Sequence, residues 1–176
     1  MDLRYPIGKF NLEGEVTEEQ RQRAIDEIAE APANLRAAVE GLLPQQLDIP
    51  YRPGGWTIRQ IVHHLPDSHL NSYTRFKLAL TEEEPSVKPY DEARWAELAD
   101  VQKAPLEVSF VLLEALHQRW VLLLRSLRPE DFARTMRHPE RGLMSLDHTL
   151  GYYAWHGRHH VAHITALRER MGWGPR

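Results

Sequence analysis

The 176-residue sequence contains no cysteine. That absence removes disulfides, thiolate metal sites, iron–sulfur clusters and cysteine nucleophiles together. A dominant charge is missing too: 22 basic and 25 acidic side chains leave a net charge of −3 with histidine neutral. Phosphate-backbone recognition needs a clustered positive field, so no nucleic-acid partner is expected. No apolar run approaches the roughly 18 residues that span a bilayer. The opening MDLRYPIGKF has no apolar stretch of the signal-peptide kind. The chain reads as a cytoplasmic protein without a membrane partner. The G-x-S-x-G elbow, the phosphate-binding G-x-x-x-x-G-K-[ST] loop, G-x-G-x-x-G and H-E-x-x-H are also lacking. Serine-nucleophile chemistry, P-loop hydrolysis and dinucleotide redox chemistry therefore have no support.

What is present is helical punctuation. β-Branched alternation is scarce, and no credible sheet is expected. Residues 1–16 read as an irregular arm. Thr17-x-x-Gln20 is a capping box that opens a helix carrying Ile25, Ile28, Leu35 and Val39. Pro32 is expected to kink it, because proline removes a backbone donor and crowds the preceding turn. A second long helix runs from about Thr57 to Leu80, with Pro66 inside it as a second expected kink. Asp91 caps a short helix, Pro105 opens a third long one, and the last runs over about 145–171 with Gly172 as its C-cap. Four long amphipathic helices and an additional short one make an all-α four-helix bundle, a single domain over 1–176.

Histidine is the outlier, with ten residues, eight of them in two clusters: His63, His64 and His69, then His148, His156, His159, His160 and His163. The inner stripe of the last helix reads Leu146, Leu150, Tyr153, His156, His160, Ile164, Leu167. Two imidazoles thus replace two aliphatics on the buried face, one turn apart and pointing the same way. That spacing suits two nitrogens on one cation. On the second helix, His64 shares a polar stripe with Ser68, Asn71 and Arg75 and is a candidate third ligand. Three neutral imidazoles with open positions form a catalytic rather than a structural zinc arrangement. Imidazole equally suits nickel, iron or copper. A lone inward histidine is more often a hydrogen-bonded core residue, and the pair is what shifts the balance. His159 and His163 have the same spacing on a neighbouring face, as alternative ligands or as partners that orient the ligating rings. His63 points about 100° away from His64, toward an interface or the surface. His69, His117, His138 and His148 have no partner at ligand spacing and read as ordinary. Arg75 and Asn71 are candidate substrate-binding residues, Arg75 for an anion. Asp67 is a further candidate beside the ligands.

The segments YRPGGWTIRQIVHHLPDSHLNSYTRFKLALTEE, KPYDEARWAEL and YYAWHGRHHVAHITALRERMGW, with the early YPIG, resemble the YfiT-like branch of the DinB superfamily over nearly the whole chain. The resemblance implies a four-helix bundle that holds one divalent metal per subunit through His64, His156 and His160. It favours this pair over His159 and His163. Zinc is the implied physiological metal, and nickel is the other candidate. Pro66 departs from the family pattern, and if it redirects His64 then His63 becomes the rival ligand. The implied function is a metal-dependent hydrolase, with metal-held water or thiol as the nucleophile and no catalytic side chain identified. The alternatives are a bacillithiol S-transferase, using a low-molecular-weight thiol on electrophilic small molecules, and a non-catalytic metal-binding stress-response protein. A small-molecule substrate and a homodimer are also implied.

Overall fold

A computed structural model of the chain describes residues 2–12 and 14–174. In chain order the helices are α1 (Glu18–Val39), α2 (Pro44–Leu47), α3 (Ile58–Thr81), α4 (Glu92–Trp95), α5 (Ala99–Lys103), α6 (Leu106–Arg125) and α7 (Leu146–Met171). A 3₁₀ turn over Pro129–Ala133 and a hairpin of β1 (Thr135–His138) and β2 (Gly142–Ser145) lie between α6 and α7. None of these helices is long and apolar enough to cross a membrane.

The long helices start where their caps dictate. Thr17 accepts from the Gln20 backbone N–H while the Gln20 side chain accepts from Thr17 N–H. Thr57 and Gln60 repeat the device at the start of α3. Each box satisfies two donors that have no partner within the helix. At the far end of α7, Gly172 takes the left-handed conformation, φ 67°, that closes a helix cheaply only without a side chain.

Helices α1 and α3 continue through Pro32 and Pro66, each of which removes one backbone donor. Two expectations are corrected. One short helix is expected where α2, α4 and α5 occur. There is also a sheet, though a small one, pairing Met136 with Met144 in antiparallel register. Both methionines are buried, which gives the hairpin its reason to dock.

Helix α1 packs on α6 and α7, and α3 packs on the same two. The core falls into two apolar halves. One gathers Ile28, Phe76, Trp120, Leu124, Leu146 and Leu150. The other gathers Leu35, Ile61, Leu65, Leu113, Ile164 and Leu167. Their order along each helix shows that α3 and α6 run in the same direction, so the chain between them must return the length of the bundle. That return carries α4 and α5. Between the two halves lies a buried polar layer: His64, Ser68, His69 and Ser72 from α3, His117 from α6, and His156 and His160 from α7.

Candidate metal centre

His64, His156 and His160 come together in that layer, each offering one nitrogen within 4.8 Å of the others. The facing atoms are Nε2. His64 stands 3.4 Å from His156, and His160 stands 3.2 Å from His156. A tetrahedral ion with bonds of about 2.0–2.1 Å would hold its nitrogens roughly 3.3–3.4 Å apart. The donor set and spacing therefore fit a divalent cation. Trp56, just ahead of α3, packs against His64 with ring centroids 4.5 Å apart and lies parallel to His160.

Burial pushes His64 down to about 3. Burial, and then the neighbouring imidazoles, hold His156 and His160 well below the ordinary histidine range. All three are neutral at pH 7, the form that offers a lone pair to a metal. Pro66 does not redirect His64, and His63 is no rival. His63 points into the interface between α3 and α6, buried there with Nδ1 2.7 Å from Ser109 Oγ.

The three imidazoles open onto a cavity of about 330 Å³. Its walls come from α3 (Ser68, Arg75), from the return segment (Pro89, Tyr90, Glu92), from the hairpin (Met136, His138, Glu140, Arg141, Met144), from α7, and from Tyr5 of the arm. The irregular arm is docked along α7. His163 Nε2–H donates to the Arg4 carbonyl at 3.1 Å, Trp155 Nε1–H to the Gly8 carbonyl at 3.2 Å, and Phe10 sits edge-on to His148 and Tyr152.

Arg75 lines this cavity, as its stripe predicts, and donates to the Lys88 carbonyl at 2.9 Å. The sequence did not point to Arg141, which lies over the Tyr152 ring at 4.7 Å. Neither guanidinium has a carboxylate partner among the described residues. His138 feels both: after burial, Arg75 and then Arg141 hold its pKa down. Burial raises the phenols of Tyr90 and Tyr153, both of which approach Ser68, so they remain protonated donors.

Four candidates stand apart from the three convergent nitrogens. Asn71 turns back to the Asp67 carbonyl at 2.9 Å and does not line the cavity, because the carbonyl one turn earlier is within its own reach. Asp67 also lies outside the cavity; burial, and then Asp100, raise it to about 6. His159 and His163 hydrogen-bond to none of the three convergent rings. His159 stacks on Trp155 at 4.3 Å and lines the cavity wall, while His163 stacks on Tyr51 at 3.9 Å.

His159 and His163 meet the His160 ring only edge-on, whereas an imidazole read as ordinary is within hydrogen-bond distance of a convergent one. His69 Nε2 stands 3.2 Å from His156 Nδ1, and His69 Nδ1 stands 2.8 Å from His117 Nε2. His117 Nδ1 in turn lies 2.6 Å from the Ile28 carbonyl oxygen. The available signal was slight: His117 sits on the apolar stripe of α6 between Leu113 and Trp120.

Comparison with known proteins is consistent along the chain. The sequence profile of the DinB superfamily matches residues 27–164. A Bacillus mycoides protein is 57% identical over 98% of this chain and 99% of its own, and a Bacillus anthracis protein is 56% identical over the same shares. Both bear the provisional name metal-dependent hydrolase. The solved structure of YfiT from Bacillus subtilis, described as a probable metal-dependent hydrolase with an unusual four-helix bundle topology, superimposes with a TM-score of 0.96 at 50% identity, covering 99% of this chain and 100% of that one. A second four-helix bundle structure, at 20% identity and a TM-score of 0.59 over 83% of this chain and 98% of that one, shares the fold.

Proposed function

The chain belongs to the DinB superfamily, and from that premise we propose that it is a metal-dependent hydrolase of small substrates bearing an anionic group. The observation that carries the reading is the convergence of three neutral Nε2 atoms on one point at the wall of a cavity. His64, His156 and His160 would hold the cation, and three nitrogens with a vacant position suit zinc. Bound there, zinc would polarise a carbonyl and lower the pKa of water to about 7.

The chain's own residues do the rest. Trp56, Tyr5 and Trp155 give the cavity an aromatic lining around the imidazoles. Arg75 and Arg141, neither in an ion pair among the described residues, take up the substrate's negative charge and fix its direction in the cavity. The Tyr153 hydroxyl keeps its proton and can donate to a substrate oxygen.

The test compares 4-nitrophenyl acetate with a 4-nitrophenyl hemiester of a dicarboxylic acid, using zinc-loaded and chelator-treated protein. Zinc-dependent hydrolysis is expected for both, with a higher kcat/KM for the hemiester and loss of the zinc-dependent rate in His156→Ala. Equal rates in loaded, chelated and variant protein overturn the assignment.

A further inference from the structure

The second nitrogen of His156 faces another imidazole instead of solvent or a carboxylate, and the row of contacts behind it has one fixed end. The Ile28 carbonyl can only accept, and it lies 2.6 Å from His117 Nδ1. The proton is therefore on that Nδ1, which in a neutral ring makes His117 Nε2 an acceptor. His69 must then donate to it from Nδ1, at 2.8 Å, and accept at its own Nε2. His156 is left as the donor, from Nδ1, at 3.2 Å. Three successive assignments end on one outcome: His156 Nε2 carries no proton. That is the atom facing Nε2 of His64 and of His160.

We propose that His69 and His117 are positioning residues, a relay anchored on the Ile28 carbonyl that locks His156 in its Nδ1–H tautomer and aims its Nε2 lone pair at the cation. The inference rests on the reading that His64, His156 and His160 hold a metal, and it is independent of which bond is hydrolysed. The relay is a clamp rather than a proton path. His69 and Ile28 are fully buried, His117 nearly so, and the last acceptor is a peptide oxygen with no proton to pass on. His160 offers the contrast: its Nδ1 is buried without a hydrogen-bond partner, so nothing of this kind dictates its tautomer. Helix α1 thus reaches the centre through a backbone carbonyl, by way of α6 and α3.

Partners that orient a ligating histidine are typically worth 10- to 100-fold in metal affinity. The test uses His117→Leu, which can neither donate nor accept, and His117→Gln, which can do both. Zinc affinity is read by competition with a chromophoric chelator, and the His156 tautomer by nitrogen-15 NMR of the metal-free protein. The wild type should show a protonated Nδ1 on His156. His117→Leu should weaken zinc binding about 10- to 100-fold and release the tautomer, and His117→Gln should restore both. A simple packing role predicts no such rescue and no change of tautomer. A proton on His156 Nε2 in the wild type overturns the relay, and so does unchanged affinity in His117→Leu. If His117→Leu does not fold, the wild-type tautomer decides alone. A wild type that binds no zinc overturns the metal reading with it, whereas zinc binding that His117→Leu leaves intact overturns the relay only.

Discussion

Nε2 of His64 faces Nε2 of His156 at 3.4 Å, although 92 positions separate them in the chain. Neither ring could hold that place on an isolated helix. Apolar packing above and below the layer sets α3 against α7, and a buried imidazole without a cation gains little from its neighbours. The centre is therefore built by the fold and tolerated by it, which makes its members separable from overall stability by experiment.

His160→Ala should leave the helical content unchanged and abolish stoichiometric metal. Protein prepared without nickel resin and loaded with zinc should carry about one ion per chain, as expected of a single three-imidazole site. The variant should carry under a tenth of that by elemental analysis. Retention of a full equivalent would exclude His160 as a ligand.

Arg75→Gln should raise KM for a carboxylate-bearing substrate by about 10- to 100-fold, the loss of one charge-assisted hydrogen bond of about 1.5–3 kcal/mol. The kcat should change far less, and an uncharged ester should be indifferent to the substitution. Equal effects on the two substrates would mean that Arg75 shapes the cavity without reading charge.

Acid should destabilise the metal-free protein well above the range of ordinary carboxylates. Burial holds His117 and His159 at about 4 and His64 at about 3, against an ordinary value of 6.5. Between those limits the unfolded chain binds more protons than the folded one, so stability falls as pH falls. For His117 alone the loss at pH 5 is about 2 kcal/mol. Urea midpoints measured from pH 8 to 5 should decline from about pH 6.5 downward. A flat profile over that interval would show these rings to be protonated in the folded state.

Thr57→Ala removes the acceptor for the Gln60 N–H at the start of α3. The cost should be about 1 kcal/mol, or a melting temperature lower by roughly 2–4 °C in a chain of this size. Zinc affinity should be unaffected, because His64 lies beyond the first turn. A drop larger than about 3 kcal/mol would indicate that Thr57 does more than cap.

These elements differ in how visible they are before folding. Thr17 with Gln20, Thr57 with Gln60, and Gly172 mark helix ends by local chemistry, so the four long helices are readable in one dimension. The hairpin is not: four-residue strands are too short for alternation to register, and their buried face is no more than Met136 and His138 on β1 with Met144 on β2. His156 and His160 stand out because two imidazoles interrupt an apolar stripe on a single helix. His69 and His117 each lack a second imidazole one turn away on their own helix, and the contact between them joins residues 48 apart. No spacing rule reaches that far. Asn71 shows the opposite error. It shares a stripe with His64 and Arg75, but the carbonyl one turn earlier on its own helix competes for its amide and wins.

The docked arm has a preparative consequence. Tyr5 belongs to the cavity wall, and the neighbouring Arg4 carbonyl is tied to His163. An oligohistidine sequence fused ahead of this segment would deliver extra imidazoles beside a centre that is itself made of imidazoles. Metal content, turnover and thermal shifts measured on such a fusion would mix two binding sites. Purification through the carboxyl end, or removal of the fusion before any assay, keeps the two apart.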